Sequence, residues 1–229
     1  MDAETTEMVR TREAGGRETA WHRGAWQTGI VALLLAACGG LMLLVTAKSR
    51  QALPVLGSVV GDFTLTDQEG RPFESSSLRG KAWVASFIFT NCRDTCPCIT
   101  TNLTLLQESV QADPRLRSGV RFVSFSVDPE RDSPRELKAY AERDGADTGL
   151  WVFLTGKKGD VLRLSQEVFQ LSAAPAPRKD GTGNASEIIH SDRFTLVDQE
   201  GRLRGYYRPE PGDLMRLVSD LSRCLDEVR

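Results

Sequence analysis

Imidazoles and thioethers are scarce in this chain, which holds two histidines and four methionines in 229 residues. One histidine, His22, lies in the N-terminal arm, so His190 is the sole imidazole of everything that follows. Met1, Met8, Met42 and Met215 all fall away from the cysteines at 92, 96 and 98, which leaves a methionine-rich metal relay without support. Excess positive charge is missing as well. With a net charge of -2, a pI near 5.8 and no basic run interleaved with aromatics, the chain has no electrostatic footprint for nucleic acid. A composition of 40% hydrophobic and 26% charged residues suits one well-packed globular domain with an appendage, and two full domains would be a squeeze.

The appendage is the uncharged stretch Gly29 to Ala47, close to the roughly 20 apolar residues that cross a bilayer as a helix. Trp21 and Trp26 precede it and Lys48 and Arg50 close it, as aromatic and basic anchors do at the two water interfaces. Two readings compete: a cleaved signal peptide ending at Val45-Thr46-Ala47, and a lipoprotein processing box at Leu35-Ala36-Ala37-Cys38. The length of the run and the polar arm before it favour an uncleaved anchor, and apolar sequence from Leu41 to Val45 argues against lipidation at Cys38. Arg10, Arg12, Arg17 and Arg23 bias the arm toward the cytoplasm, while its acidic residues argue against a mitochondrial presequence. The expected layout is a cytoplasmic arm over 1–28, a transmembrane anchor over 29–47, a linker over 48–53 and a soluble domain over 54–229. That domain would face the periplasm from a bacterial inner membrane, a compartment that permits disulfides.

Within 54–229 the pattern alternates between short strands and longer helices. Phe63-Thr64-Leu65 and Arg71-Pro72-Phe73 flank Asp67-Gln68-Glu69-Gly70 as a hairpin, and Phe194 to Val197 with Leu203 to Tyr207 form a second. Ala82 to Phe89 and Val120 to Val127 read as strands buried on both faces, and Trp151 to Leu154 as a shorter one. Helices are expected over Pro97 to Gln111, Pro134 to Arg143, Gly159 to Leu171 and Pro211 to Val228. This order implies an α/β domain whose mixed sheet is covered by helices on both faces, the layout of a thioredoxin-like fold with an added β-hairpin. Phe63 to Arg71, FTLTDQEGR, nearly recurs as FTLVDQEGR at Phe194 to Arg202, which reads as two similar turns because nothing between the copies repeats. Ser172 to Glu187, rich in Ala, Pro, Gly and polar residues, reads as a mobile loop leading to His190.

The chemistry concentrates at Phe89-Thr90-Asn91-Cys92-Arg93-Asp94-Thr95-Cys96-Pro97-Cys98, where two thiols four residues apart follow a buried strand and open a helix. A helix N-terminus stabilises a thiolate, the form that attacks disulfides and binds soft metals. Buried structural cysteines seldom collect there, so Cys92 and Cys96 read as a functional pair over a static disulfide. Two thiolates and one imidazole suit Cu(I) and also accept Cu(II) or Zn. His190 reaches the thiols only if the chain leading into the second hairpin approaches the same end of the sheet. Asp94 and Asp128 offer acceptors beside such a site, although acids in turns ordinarily cap or face water. Cys98 would point away from Cys96 on a regular helix, Cys224 reads as core, and Cys38 as part of the membrane helix.

Several motifs in order carry a resemblance. Phe89-Thr90-x-Cys92-x-Asp94-x-Cys96-Pro97 is followed by Val127-Asp128-Pro129-Glu130-Arg131-Asp132-Ser133-Pro134 with Leu137 and Tyr140, then Phe153-Leu154-Thr155-Gly156, then His190 before Val197-Asp198-x-x-Gly201. Together they resemble the Sco/SenC copper chaperones of respiratory oxidase assembly over most of 54–229. The resemblance implies Cys92, Cys96 and His190 as copper ligands, an apo-oxidase copper subunit or another copper carrier as partner, and no enzyme activity beyond possible thiol–disulfide exchange. It also implies a switch, since oxidation of the thiol pair removes two ligands, and the loop before His190 would let that ligand swing away. Arg93 stands where the family commonly has Pro, and Cys98 adds a third thiol. A thiol–disulfide oxidoreductase needing the cysteines alone, or a copper or redox sensor, remain the rival classes.

Overall fold

The computed structural model describes residues 33–40, 42, 52–57, 59–91, 96–171, 173–176, 187–190 and 192–227, with 96–98, 173–176 and 187–190 described through the backbone alone. The chain divides into two units, Met1–Gln51 and Ala52–Arg229. In the first, residues 33–40 and 42 are helical and exposed. No helix of the described residues is long and apolar enough to cross a membrane; most of the expected span over 29–47 lies outside them.

The second unit is built on a seven-stranded mixed sheet. Its strands are β1 (Thr64–Asp67), β2 (Pro72–Glu74), β3 (Ala82–Ile88), β4 (Val120–Ser126), β5 (Trp151–Thr155), β8 (Phe194–Val197) and β9 (Leu203–Tyr207), while β6 (Ala173–Ala176) and β7 (Glu187–His190) pair separately. Their spatial order is β2-β1-β5-β4-β3-β8-β9. β3, β4 and β5 run parallel, and antiparallel neighbours close both edges.

Every residue of β3 is buried because the sheet is covered on both faces, which is why its sequence runs apolar without alternation. Ala82, Val84 and Ile88 enter one core with α1 (Cys96–Ala112), α2 (Pro114–Gly119), α3 (Pro134–Arg143) and α5 (Pro211–Glu227). Trp83, Ala85 and Phe87 enter the other, against the 3-10 turn Ser75–Leu78, α4 (Lys158–Arg163) and the π-helical segment Leu164–Val168 that continues it. The mixed, helix-flanked sheet of a thioredoxin-like fold is thus present. The short α2 and the 3-10 turn were not legible in the periodicity, and the helix expected over Gly159 to Leu171 is broken by the π segment and by Gln170 at a φ of 52°.

The repeated motif has a local cause. Asp67 Oδ1 accepts from the backbone N–H groups of Glu69 (2.9 Å) and Arg71 (2.8 Å), and Asp198 Oδ1 accepts from those of Glu200 (3.1 Å) and Arg202 (2.9 Å). Gly70 and Gly201 take left-handed φ values of 77° and 80°, open to glycine without strain. Identical turn chemistry thus recurs in two hairpins that sit at opposite parts of the sheet.

The loop expected over Ser172 to Glu187 needs correction at both ends. Ala173–Ala176 pairs antiparallel with Glu187–His190, in the register Ala173↔His190 to Ala176↔Glu187; residues 177–186 lie outside the described residues. An Ala-Ala-Pro-Ala strand has no alternation and no β-branched residue, so only its distant partner reveals it.

Candidate functional site

β3 delivers the chain to the candidate site. Its last residue, Ile88, accepts at its carbonyl from the N–H of Val127 (2.9 Å), so the ends of β3 and β4 are tied side by side. Phe89 packs against both cores, and the next residue is caught by Asp132. The Asp132 carboxylate accepts from Thr90 N–H (3.1 Å to Oδ2) and Thr90 Oγ1 (2.5 Å), and from Ser126 Oγ at the end of β4 (2.5 Å). Asp132 is 1% exposed. Burial pushes its carboxyl above the usual range, opposed by the hydrogen bonds from Ser126 and Thr90.

Asn91 is exposed, and Cys92, Arg93, Asp94 and Thr95 lie outside the described residues. The helix α1 begins at Cys96, with Pro97 and Cys98 in its first turn. Proline is at home there because the first N–H groups of a helix have no intrahelical partner. Downstream, Ile99 and Thr100 are buried, and the Thr100 hydroxyl is hydrogen-bonded to the Tyr140 hydroxyl of α3.

His190 is the last residue of β7, four positions before Phe194 opens β8. β8 pairs antiparallel with β3 in the register Ala85↔Thr195, so the chain leading into β8 runs beside the C-terminal end of β3. Four extended residues span at most about 13 Å, which keeps His190 at that end of the sheet. The fold therefore gathers three backbone positions at one pole: the turn after β3, the start of α1 and the end of β7. Among the described residues no three His, Cys, Asp or Glu side chains cluster as a metal site.

Other expectations resolve differently. Asp128 turns its carboxylate to Arg131, at 3.1 Å from Nη1; any contact it makes with 92–95 lies outside the described residues. Asp132, four residues on, is the acid that holds Thr90; its sequence context Asp-Ser-Pro reads only as the lead into a helix, and nothing local says that its side chain folds back. Asp94 lies outside the described residues. Cys224 is buried in the α5 face of the core, where burial pushes its thiol up to about 12. Cys38 is exposed on the helix over 33–40. Beside the turn opens a groove of about 360 Å³ lined by Thr90, Asn91, Arg135, Glu136, Ala139, Tyr140 and Arg143.

Comparison with known proteins places this geometry in context. The family model described as SCO1/SenC matches residues 53–226. The SCO1 protein homolog of Bacillus subtilis is 35% identical over 194 residues, covering 84% of this chain and 92% of that one. Among solved structures, BsSco, described as a Sco family member of cytochrome c oxidase assembly with a disulfide switch, is 31% identical with a TM-score of 0.64, over 77% of this chain and 98% of that one. ScoI of Bradyrhizobium japonicum with copper bound is 27% identical with a TM-score of 0.60, over 73% of this chain and all of that one (100%).

Proposed function

This chain belongs to the SCO1/SenC family, and on that premise we propose that it binds copper through Cys92, Cys96 and His190 and passes it to an apo-oxidase copper subunit or another copper carrier. The observation that carries this reading is the convergence at one pole of the turn after β3, the N-terminus of α1 and the end of β7. Two thiols and an imidazole are a soft donor set that fits copper, preferentially Cu(I). The positive end of α1 lowers the cost of the Cys96 thiolate. Exchange of the reduced pair with a disulfide such as oxidised glutathione, which takes up the two electrons and two protons and leaves as two thiols, closes the Cys92–Cys96 disulfide and withdraws two ligands, so copper binding follows redox state.

Release does not need an unpaired loop. His190 belongs to the two-stranded β6–β7 ribbon, which is not hydrogen-bonded into the main sheet, and in this reading the ribbon carries the imidazole away on release. We place the anchor over 29–47, with the domain on the periplasmic face of a bacterial inner membrane.

Metal analysis of the reduced and oxidised full-length chain tests the reading. The reduced protein is expected to retain copper, and the oxidised protein, Cys92→Ala, Cys96→Ala and His190→Ala to lose it. Equal copper in both redox states would sink the switch, and an unchanged His190→Ala the ligand set. The helix-start position of Cys96 also favours a second reading, thiol–disulfide exchange on a partner's cysteines. A His190→Ala variant that loses copper yet supports full oxidase assembly would select it.

A further inference from the structure

The segment from Asp132 to Tyr140 touches the chain on both sides of the cysteine turn. At its start, Asp132 holds Thr90, two residues before Cys92, through the backbone N–H and the hydroxyl. At its far end, Tyr140 holds Thr100, four residues after Cys96, hydroxyl to hydroxyl. Between these points the segment is held in place: Ser133 caps α3 by accepting from Glu136 N–H, Pro134 stands at the first helical position, and Leu137 is fully buried. Asp132 itself is fixed from behind by Ser126 Oγ and by its own N–H bonded to the Asp128 carbonyl (2.9 Å). The Tyr140–Thr100 contact is buried and the Asp132–Thr90 contact half-buried, where a hydrogen bond is strengthened and a lost partner is costly.

We infer that Asp132 and Tyr140 are positioning residues that brace the turn at both ends and thereby set the separation of Cys92 and Cys96, with Asp132 acting through Thr90. The inference rests on the assignment of those two thiols as the working pair. A braced turn keeps one thiol at high effective concentration beside the other, which favours both the disulfide and chelation of one ion. Loosening either end dilutes them.

Two constants of the full-length protein in detergent read this out: the equilibrium of the Cys92–Cys96 disulfide with reduced and oxidised glutathione, quantified by peptide mapping, and Cu(I) retention against a chromophoric chelator. Asp132→Asn is expected to lower the disulfide-forming constant about tenfold and Cu(I) affinity by roughly 10- to 100-fold, the usual effect of removing a group that supports ligands. Thr90→Val lowers both by a smaller factor, and the double variant shows less than the product of the two, because both changes break one link. Tyr140→Phe keeps the buried ring, removes only the hydroxyl and lowers both severalfold, which secures the test should Asp132→Asn fail to fold. Val110→Ala, a core truncation at the far end of α1, provides a fold loosened without touching the turn. If Asp132→Asn and Tyr140→Phe lower the melting temperature as Val110→Ala does but leave both constants within twofold of the parent, the brace is refuted. A protein that binds no copper but whose disulfide constant shifts as stated removes the copper reading and supports the brace.

Discussion

Two buried acids with opposite behaviour show what single residues contribute here. Burial raises the Asp198 carboxyl, but the Arg202 N–H and the Arg204 and Arg202 side chains outweigh it and hold the group below its ordinary 3.8. A carboxyl depressed in the folded state stabilises it fully above the unfolded value, and that contribution is lost as pH falls through the folded one. Urea unfolding from pH 5 downward is therefore expected to show a fall in stability below about 4 that Asp198→Asn flattens; an unchanged slope would exclude Asp198 as its source. Cys224 provides a second check. A thiol 1% exposed and pushed up to about 12 holds almost no thiolate at neutral pH, so iodoacetamide should label it only after unfolding. The core role of Cys224 was legible from its place on an amphipathic helix. The role of Asp132 was not, because a side chain that folds back onto another strand leaves no periodic trace.

At the scale of elements, β3, β4 and the first and last long helices were readable, since burial on both faces demands an unbroken apolar run and burial on one demands a helical stripe. The β6–β7 ribbon was not, as its strands recognise only each other across the chain between them. β9 carries a constraint of its own. A Cβ on Gly205 would lie 2.5 Å from the Tyr207 hydroxyl, which donates to Asp220 at 2.8 Å. Gly205→Ala should displace that ring and cost about 1–3 kcal/mol of unfolding free energy, measured by denaturant titration. A neutral result would mean that Tyr207 has room to move.

Across the whole domain, its first described residues and the end of α5 meet at the pole away from the cysteine turn. The Arg204 guanidinium, 2% exposed, reaches Asp198 (2.7 Å), Glu227 at the end of α5 (2.6 Å) and the carbonyls of Leu53 (2.5 Å) and Pro54 (3.2 Å), and Leu53 N–H donates to Glu227 (2.7 Å). Removing one partner of such a buried network is costly, so Arg204→Met should lose about 3 kcal/mol by urea unfolding while copper stoichiometry stays unchanged. Loss of copper at full stability would contradict the separation of the two poles. Local spacing alone marked the thiol pair and the lone imidazole as candidates and settled the buried central strands and the alternating α/β order, because strand and helix periods and a cysteine spacing are written in neighbouring residues. Only the tertiary structure decided that β8 pairs with β3 and so brings the chain from β7 to that end of the sheet, that Asp132 holds Thr90 where β3 ends, and that Arg204 closes the opposite pole. Each is a contact between residues far apart in the chain, made when the sheet order β4-β3-β8 forms and the core excludes water around it.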